Sequence, residues 1–383
     1  MIEQPTRTIS RRQALRGAAI GLGVLALAGC GQGAAPAPSA SSASASASSA
    51  WDQLVAAAKS EGQVVVTGPP DPGSRQQLPA QFKNRFGIEL QYLGGNSGDA
   101  VSRMQAERAA GQYTVDAMVS GGDPAHPVLL ADGWLDSLKA ALVLPEDVDG
   151  QNWKTGAPWF RDPDGQYLLQ LFNTVQSGVT LNTTIVGVKD VPTADSLLDP
   201  RWKGKISSFD PTVPGIGLAI WSAFYVSKGA DFCTQLFKGQ QITITRDYSQ
   251  SADWLAHGSY PIGLAVSQNY LDPFKQAGVT FANLDLPDAP NAVGGGFGVV
   301  SLLNHAPHPN AARVFVNWLA SKEGTTLYGK LQSQAPVRSD VDASWMDPAL
   351  LPKPVVKYID TYDHDFIVNQ RVKIQDFFSK LLK

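Results

Sequence analysis

Between Val64 and Pro124 the chain repeats one pattern three times: a short apolar run, a loop of small and turn-forming residues, then an amphipathic stretch. Val64-Val65-Val66-Thr67 runs into Gly68-Pro69-Pro70-Asp71-Pro72-Gly73-Ser74, and Leu78 to Phe86 follows at helical spacing and closes at Gly87. Ile88 to Leu93 ends at Gly94-Gly95-Asn96-Ser97-Gly98-Asp99, ahead of a helical stretch from Val101 to Ala110 that stops at Gly111. Val115 to Val119 then ends at Ser120-Gly121-Gly122-Asp123-Pro124. Short runs without polar alternation read as buried strands, and their alternation with helices predicts a parallel sheet covered on its faces. Ligands of open α/β sheets sit beyond the carboxyl ends of the strands. The three loops therefore predict a binding rim, although any one of them alone is equally well a tight turn.

The rest of the chain extends this pattern. A helix is predicted from Trp51 to Lys59. From Gln166 to Leu181 the pattern becomes extended, with Leu168, Gln170, Phe172 and Thr174 alternating against their neighbours, as a crossing into a second domain would. There Ile206 to Phe209 leads into Asp210-Pro211-Thr212-Val213-Pro214-Gly215-Ile216-Gly217, and Leu218 to Val226 is an apolar helix. Ile242 to Ile244 and Ile262 to Val266 read as buried strands. Phe281 to Leu286, then Gly294 to Val300, read as the return crossing, and Asn310 to Leu331 as a helical tail. These breaks place one lobe at 51–172 plus 295–383 and a second at 173–294.

The N-terminus says where the body works. Ser10-Arg11-Arg12-Gln13-Ala14-Leu15-Arg16 is basic, and the apolar run from Ala18 to Ala28 is too short to span a bilayer, which needs about 20 residues. A basic head, an apolar middle and small residues at 1–29 read as an export signal, and the paired arginines resemble the twin-arginine type. Ala14 departs from that type, which usually has a bulkier apolar residue there, so the general secretory route stays open. Leu27-Ala28-Gly29-Cys30 resembles a bacterial lipobox, which makes Cys30 the lipid-bearing residue and puts the body on the extracytoplasmic side of the cell membrane. Residues 31–50, rich in Ala, Ser and Pro, read as a flexible tether. Removal of 1–29 leaves 27 basic and 33 acidic residues, a net charge of −6. That balance speaks against nucleic acid as a partner, which calls for a basic stripe. With Cys30 committed to lipid there is no disulfide framework, and Cys233 reads as a small buried apolar residue.

Several segments in order resemble the bacterial ABC-transporter solute-binding proteins, in the group that includes ferric-ion, phosphonate, sugar-phosphate and polyamine binders. They are Glu61-Gly62-Gln63-Val64-Val65-Val66, the stretch Phe82 to Gly87, Arg103 to Gly111, Leu198-Asp199-Pro200-Arg201-Trp202-Lys203-Gly204-Lys205-Ile206, and Pro309 to Gly324. The resemblance covers nearly all of 51–340. It implies an α/β fold of the type II periplasmic-binding-protein kind, two lobes joined by two hinge strands. It implies closure over a small-molecule ligand and delivery to an ABC permease, with no cofactor and no bond made or broken. A monomer fits that mechanism.

Ferric members of the group typically carry a tyrosine in the loop after the first strand and a tyrosine pair in the second lobe. Here the first loop is Thr67-Gly68-Pro69-Pro70-Asp71, and Tyr270 is followed by Leu271. Against that pattern a bare ferric site looks broken, and ferric ion or an iron chelate stays an alternative ligand. The loops instead offer backbone, hydroxyls and arginines: Pro70, Arg75, Asn96, Ser97, Arg103, Ser120, Gly121, Thr212, Gly215, Arg246, Tyr248, Ser249, Ser267, Tyr270 and Phe297. Helix N-termini, hydroxyls and arginine together suit a phosphate, phosphonate or carboxylate. The rival reading makes Arg75 and Arg246 solvated charges and the hydroxyls helix caps. A polyamine would take an acidic, aromatic box drawn from Asp71, Asp99, Asp123, Tyr248, Tyr270 and Asp272. Among the histidines, His305 and His308 lack the i, i+4 placement of common zinc pairs, and Asp363-His364-Asp365 reads as a solvated cluster, so no metal site is assigned. There is no Gly-x-Ser-x-Gly elbow and no phosphate-binding P-loop. A tethered hydrolase and a sensor-type binding protein are the rival classes.

Overall fold

The computed structural model describes residues 40–121 and 125–383; the export signal, Cys30, the linker as far as residue 39 and Asp123 lie outside the described residues. Helix α1 spans Ala40–Glu61, so it begins inside the segment expected to be a tether. Alanine is the best helix former, and a helix already nucleated propagates at little cost.

Strands β1 (Gln63–Gly68), β2 (Glu89–Gly94) and β3 (Ala117–Ser120) are parallel neighbours, with β1 in the middle. Helices α2 (Pro72–Phe86) and α3 (Ser97–Ala109) connect them. The sheet is not parallel throughout. It continues through β13 (Val299–Leu303), antiparallel to β3, to the short β4 (Leu135–Asp136), and β5 (Leu169–Gln170) also pairs with β13. β13 enters from the far lobe, so it runs against the strands the first lobe builds for itself.

The second sheet has the order β11-β7-β10-β8-β9, with β7 Val179–Asn182, β8 Ile206–Phe209, β9 Thr243–Thr245, β10 Ile262–Leu264 and β11 Phe281–Asn283. β11 pairs antiparallel with β7, so the expected return at Phe281 still belongs to this sheet. The crossings are β6 (Thr174–Gln176) and β12 (Ala292–Gly294), paired antiparallel and joined by β14 (Ile359–Asp360). Each passes from one large sheet to the other, giving two α/β lobes joined by two hinge strands.

Each lobe has its own apolar core. In the first, Phe82 packs on Phe315 and Trp318 of α6 (Pro309–Ala320), with ring centroids 5.8 and 5.4 Å apart. In the second, Trp221 of α4 (Ile216–Thr234) lies 4.1 Å from Phe237 and 5.4 Å from Phe378. Cys233 is buried there, and burial pushes its thiol up to about 12. Phe378 belongs to the last helix, α8 (Val372–Leu381), in the tail expected to complete the first lobe. The tail in fact divides. Fully buried Arg338 pairs with Asp147 at 3.2 Å and Asp340 at 2.9 Å on the first lobe, whereas the aromatic face of α8 closes the second core. Among the described residues no helix is long and apolar enough to cross a membrane.

Candidate functional site

The carboxyl ends of β1, β2 and β3 form one side of a cleft, and each loop is fixed by a local device. After β1, the Tyr92 hydroxyl donates to the Pro69 carbonyl at 2.9 Å, and its ring lies where a Cβ on Gly68 would stand. Asp71 caps α2 by accepting from the Ser74 amide at 2.7 Å. Its other oxygen accepts from Gln332 Nε2 at 2.6 Å, on α7 (Lys322–Gln332). After β2, Asn96 occupies the N-cap position of α3 and makes no side-chain cap bond. After β3, Ser120 Oγ donates to the Gly121 carbonyl at 2.9 Å.

The facing side comes from the second lobe. Gly215 opens α4 at φ 134° and ψ −161°, a conformation open essentially to glycine alone, and has no side chain with which to cap. Tyr248 begins α5 (Tyr248–Ala256), stacks on Phe209 at 4.3 Å and on Tyr270 at 5.4 Å, and meets the edge of Phe297 at 5.9 Å.

Two chambers result. The first, about 400 Å³ when the solvent at its mouth is included, lies between Thr67 to Pro70, Gly95 to Ser97 and Met118 to Gly121 on one side and Pro214, Gly215, Tyr248 and Phe297 on the other. The second, about 570 Å³ on the same footing, is lined by the hinge residues Thr174 to Ser177 with Val266 to Gln268, Ser333, Gln334 and Tyr362. Gly121, Gly215 and Phe297 line both, so the two adjoin there.

Neither chamber is lined by an Asp, Glu, Lys or Arg among the described residues. The electrostatics come from helix termini. Of α2, α3, α4 and α5, which begin near the cleft, two are already capped by carboxylates: α2 by Asp71, and α5 by Asp247, which accepts from the Ser249 and Gln250 amides. The other two, α3 and α4, start at the first chamber from opposite lobes without a side-chain cap. Uncapped first-turn amides and the positive end of the helix dipole favour negative charge. The tyrosines nearby stay protonated. Burial, then the Asp71 and Asp247 carboxylates, raises the Tyr270 hydroxyl, and burial followed by Asp71 raises that of Tyr92.

The expected residues divide. Pro70, Asn96, Ser97, Ser120, Gly121, Gly215, Tyr248 and Phe297 line the first chamber, Ser267 lines the second, and Tyr270 backs Tyr248. The others do not line it. Arg75 is exposed behind the rim, its Nη2 3.5 Å from the Gly94 carbonyl. Arg103 pairs with Glu107 at 3.5 Å along the α3 surface. Thr212 and Arg246 are drawn away by Asp210, which accepts from Thr212 Oγ1 at 2.6 Å and Arg246 Nε at 2.7 Å beside Leu382 and Lys383. Ser249 is exposed, its amide held by Asp247. Among the described residues the acidic box does not assemble either. Asp71 is engaged by Ser74 and Gln332, Asp272 by Lys275 and Ser333, and Asp99 faces solvent. Among the described residues no three His, Cys, Asp or Glu side chains come together as a metal site. Thr174, Gln176, Ser333, Gln334 and Tyr362 went unassigned. Thr174 lies in a segment recognised as extended, but nothing in the sequence brings Gln334 to it.

Residues 77–353 match the family model of the bacterial extracellular solute-binding proteins. An uncharacterised protein of Haemophilus influenzae is 23% identical over 278 residues, 71% of this chain and 76% of its own. Iron-bound HitA from Pseudomonas aeruginosa superposes with a TM-score of 0.66 at 18% identity, covering 83% of this chain and 99% of that one. The periplasmic binding protein AfuA from Actinobacillus pleuropneumoniae, bound to fructose 6-phosphate, gives 0.64 at 18% identity over 83% and 98%. At these identities the two structures establish the fold, the type II periplasmic-binding-protein arrangement.

Proposed function

The chain belongs to the bacterial extracellular solute-binding proteins, and from that premise we propose that it captures a small solute carrying a phosphonate, phosphate or carboxylate group and delivers it to an ABC permease. One observation carries the choice of ligand: the N-cap residues Asn96 of α3 and Gly215 of α4 make no side-chain cap bond where these helices open at one chamber from opposite lobes, and among the described residues no carboxylate lines that chamber. An anion there is held by amides of both lobes at once. It therefore stabilises the closed form over the open one, which is all that a ligand needs to do to shift the population. The closed form is what the permease reads, and no bond is made or broken. The Leu27-Ala28-Gly29-Cys30 segment supports a lipid anchor on Cys30, which keeps the loaded protein at the membrane.

The likeness to HitA raises iron as the rival cargo. Ferric ion wants hard, anionic oxygen ligands. Here Leu271, next to Tyr270, is fully buried in a small apolar cluster, and burial with Asp71 and Asp247 holds the Tyr270 hydroxyl in its neutral form. A thermal-shift series on the purified chain tests the proposal, with phosphonates, phosphate esters, carboxylates, polyamines, ferric salts and ferric chelates. A ligand at a hundred times its Kd adds about 2.7 kcal/mol by mass action, a shift of several degrees. The anions are expected to give it. A shift from ferric salts or polyamines alone would sink the anion reading.

A further inference from the structure

The second chamber offers the reverse chemistry of the first. Gln176 on β6 is 7% exposed; its Nε2 donates to the Tyr362 hydroxyl at 3.2 Å, and its buried Oε1 has no partner among the described residues. Gln334 donates from Nε2 to the Gln332 carbonyl at 3.3 Å, and its buried Oε1, lying against Gly296, has none either. The neighbouring polar groups are engaged. Ser177 donates to the Val179 carbonyl at 2.7 Å and Ser267 to Asn269 at 2.8 Å, Thr174 accepts from the Ala335 amide at 2.7 Å, and Gln268 accepts from Asn283 at 3.1 Å. Among the described residues that line the chamber, these two amide oxygens are the buried side-chain polar atoms without a partner, and an amide oxygen only accepts. A buried acceptor without a donor is costly, so the chamber selects a ligand group that donates.

Phosphate, phosphonate and carboxylate oxygens are themselves acceptors and do not fit. An ammonium group would enter a site that no carboxylate lines among the described residues, at a heavy desolvation cost. The Tyr362 ring already carries the Arg371 guanidinium 4.9 Å from its centroid. Uncharged hydroxyls meet the requirement. We propose that the second chamber is a hydroxyl subsite, in which Gln176 and Gln334 accept hydrogen bonds from a neutral polyhydroxylated part of the same solute whose anionic group sits in the first chamber. This rests on the anion reading above. The chambers adjoin at Gly121, Gly215 and Phe297, which line both, so the two groups can belong to one molecule.

Calorimetric titration of the full chain with matched probes tests it: methylphosphonate against glycerol 3-phosphate and glucose 6-phosphate, acetate against gluconate, and 2-aminoethylphosphonate as the charged tail. A hydroxylated member is expected to bind at least about tenfold tighter than its bare partner, as two neutral hydrogen bonds allow. Gln176→Leu and Gln334→Leu should each reduce that gain roughly fivefold and leave the bare anion within twofold. The wild-type probe pairs give an answer even where Gln176→Leu fails to fold, and Gln334→Met supplies a milder variant. Equal affinity within every pair overturns the hydroxyl subsite alone, and so does a preference for 2-aminoethylphosphonate. Failure of every anion to bind overturns the anion reading beneath it.

Discussion

The two sides of the cleft begin alike and end differently. Each has a strand, a short loop, a buried aspartate and a helix: β1, Asp71 and α2 in the first lobe, β8, Asp210 and α4 in the second. Asp71 is 3% exposed and Asp210 7%. Asp71 is satisfied by neutral donors, the Ser74 amide and Gln332. Asp210 is satisfied by the Thr212 amide and hydroxyl and by a cation, Arg246. In the second lobe the carboxylate therefore captures the arginine and the threonine nearest to it and turns them off the cleft. In the first, the Arg75 guanidinium makes no bond to the Asp71 carboxylate and stays behind the rim at the Gly94 carbonyl. A buried carboxylate beside a binding loop decides where the loop's donors point, and spacing in sequence does not.

The contrast breaks most sharply at glycine. A Cβ on Gly217 would run into the backbone of Asp210 and Phe209, so the second side has no room to give. On the first side, Gly95 has nothing within 4 Å of its would-be Cβ. Gly217→Ala is expected to destabilise the protein by about 2–4 kcal/mol through overpacking against backbone. Gly95→Ala should stay within about 0.5 kcal/mol. Chemical denaturation measures both. Equal midpoints would mean that α4 does not approach the β8 loop as closely as described.

The aspartates come next in size. Asp71→Ala removes a helix cap and one of the two acceptors of the Gln332 amide, which keeps Ser74 Oγ at 2.7 Å, together about 2–3 kcal/mol. Asp210→Ala strands less, since the Arg246 side chain is 65% exposed and water can take over its donors; about 1–2 kcal/mol is expected. Urea unfolding of the two variants ranks them. The reverse order would show that the cation, not the neutral network, is the stronger clamp.

What was legible in the sequence follows the same divide. The loops after β1, β2 and β3 could be placed at the cleft because strand polarity alone puts the carboxyl ends of parallel strands on one edge. The same logic found Gly215 and Ser267 in the second lobe. It could not find the fates of Thr212 and Arg246, because these depend on which side chain reaches Asp210 first. It could not find the second chamber either. Gln176 sits on a crossing strand and Gln334 just beyond α7, and only the hinge geometry makes them neighbours. The antiparallel entry of β13 and the final turn of α8 onto the second core are likewise consequences of a chain that crosses twice, which periodicity within one segment does not record.

The smallest effect separates the two arginines. Arg246 looks equivalent to Arg75 in sequence: both are basic and both lie close to a strand–helix loop. In the fold, Arg246 points to a groove beside Leu382 and Lys383, and its ion pair with Asp210 at 2.7 Å is solvent-exposed on the arginine side. Arg246→Met should cost less than about 1 kcal/mol of stability, the usual worth of an exposed pair, and leave anion affinity within twofold. Arg75 stands one residue behind the rim, at the carbonyl of Gly94 next to the chamber-lining Gly95. Its charge acts on the first chamber only across solvent, where screening sets in over about 10 Å at 0.1 M salt. Arg75→Met is expected to weaken methylphosphonate binding two- to threefold at low salt, with the difference vanishing near 1 M, where the screening length falls to about 3 Å. Titrations of both variants at the two salt concentrations decide the matter. If Arg246→Met weakens binding as much as Arg75→Met, the second side carries a working cation, and Asp210 does not withdraw it from the cleft.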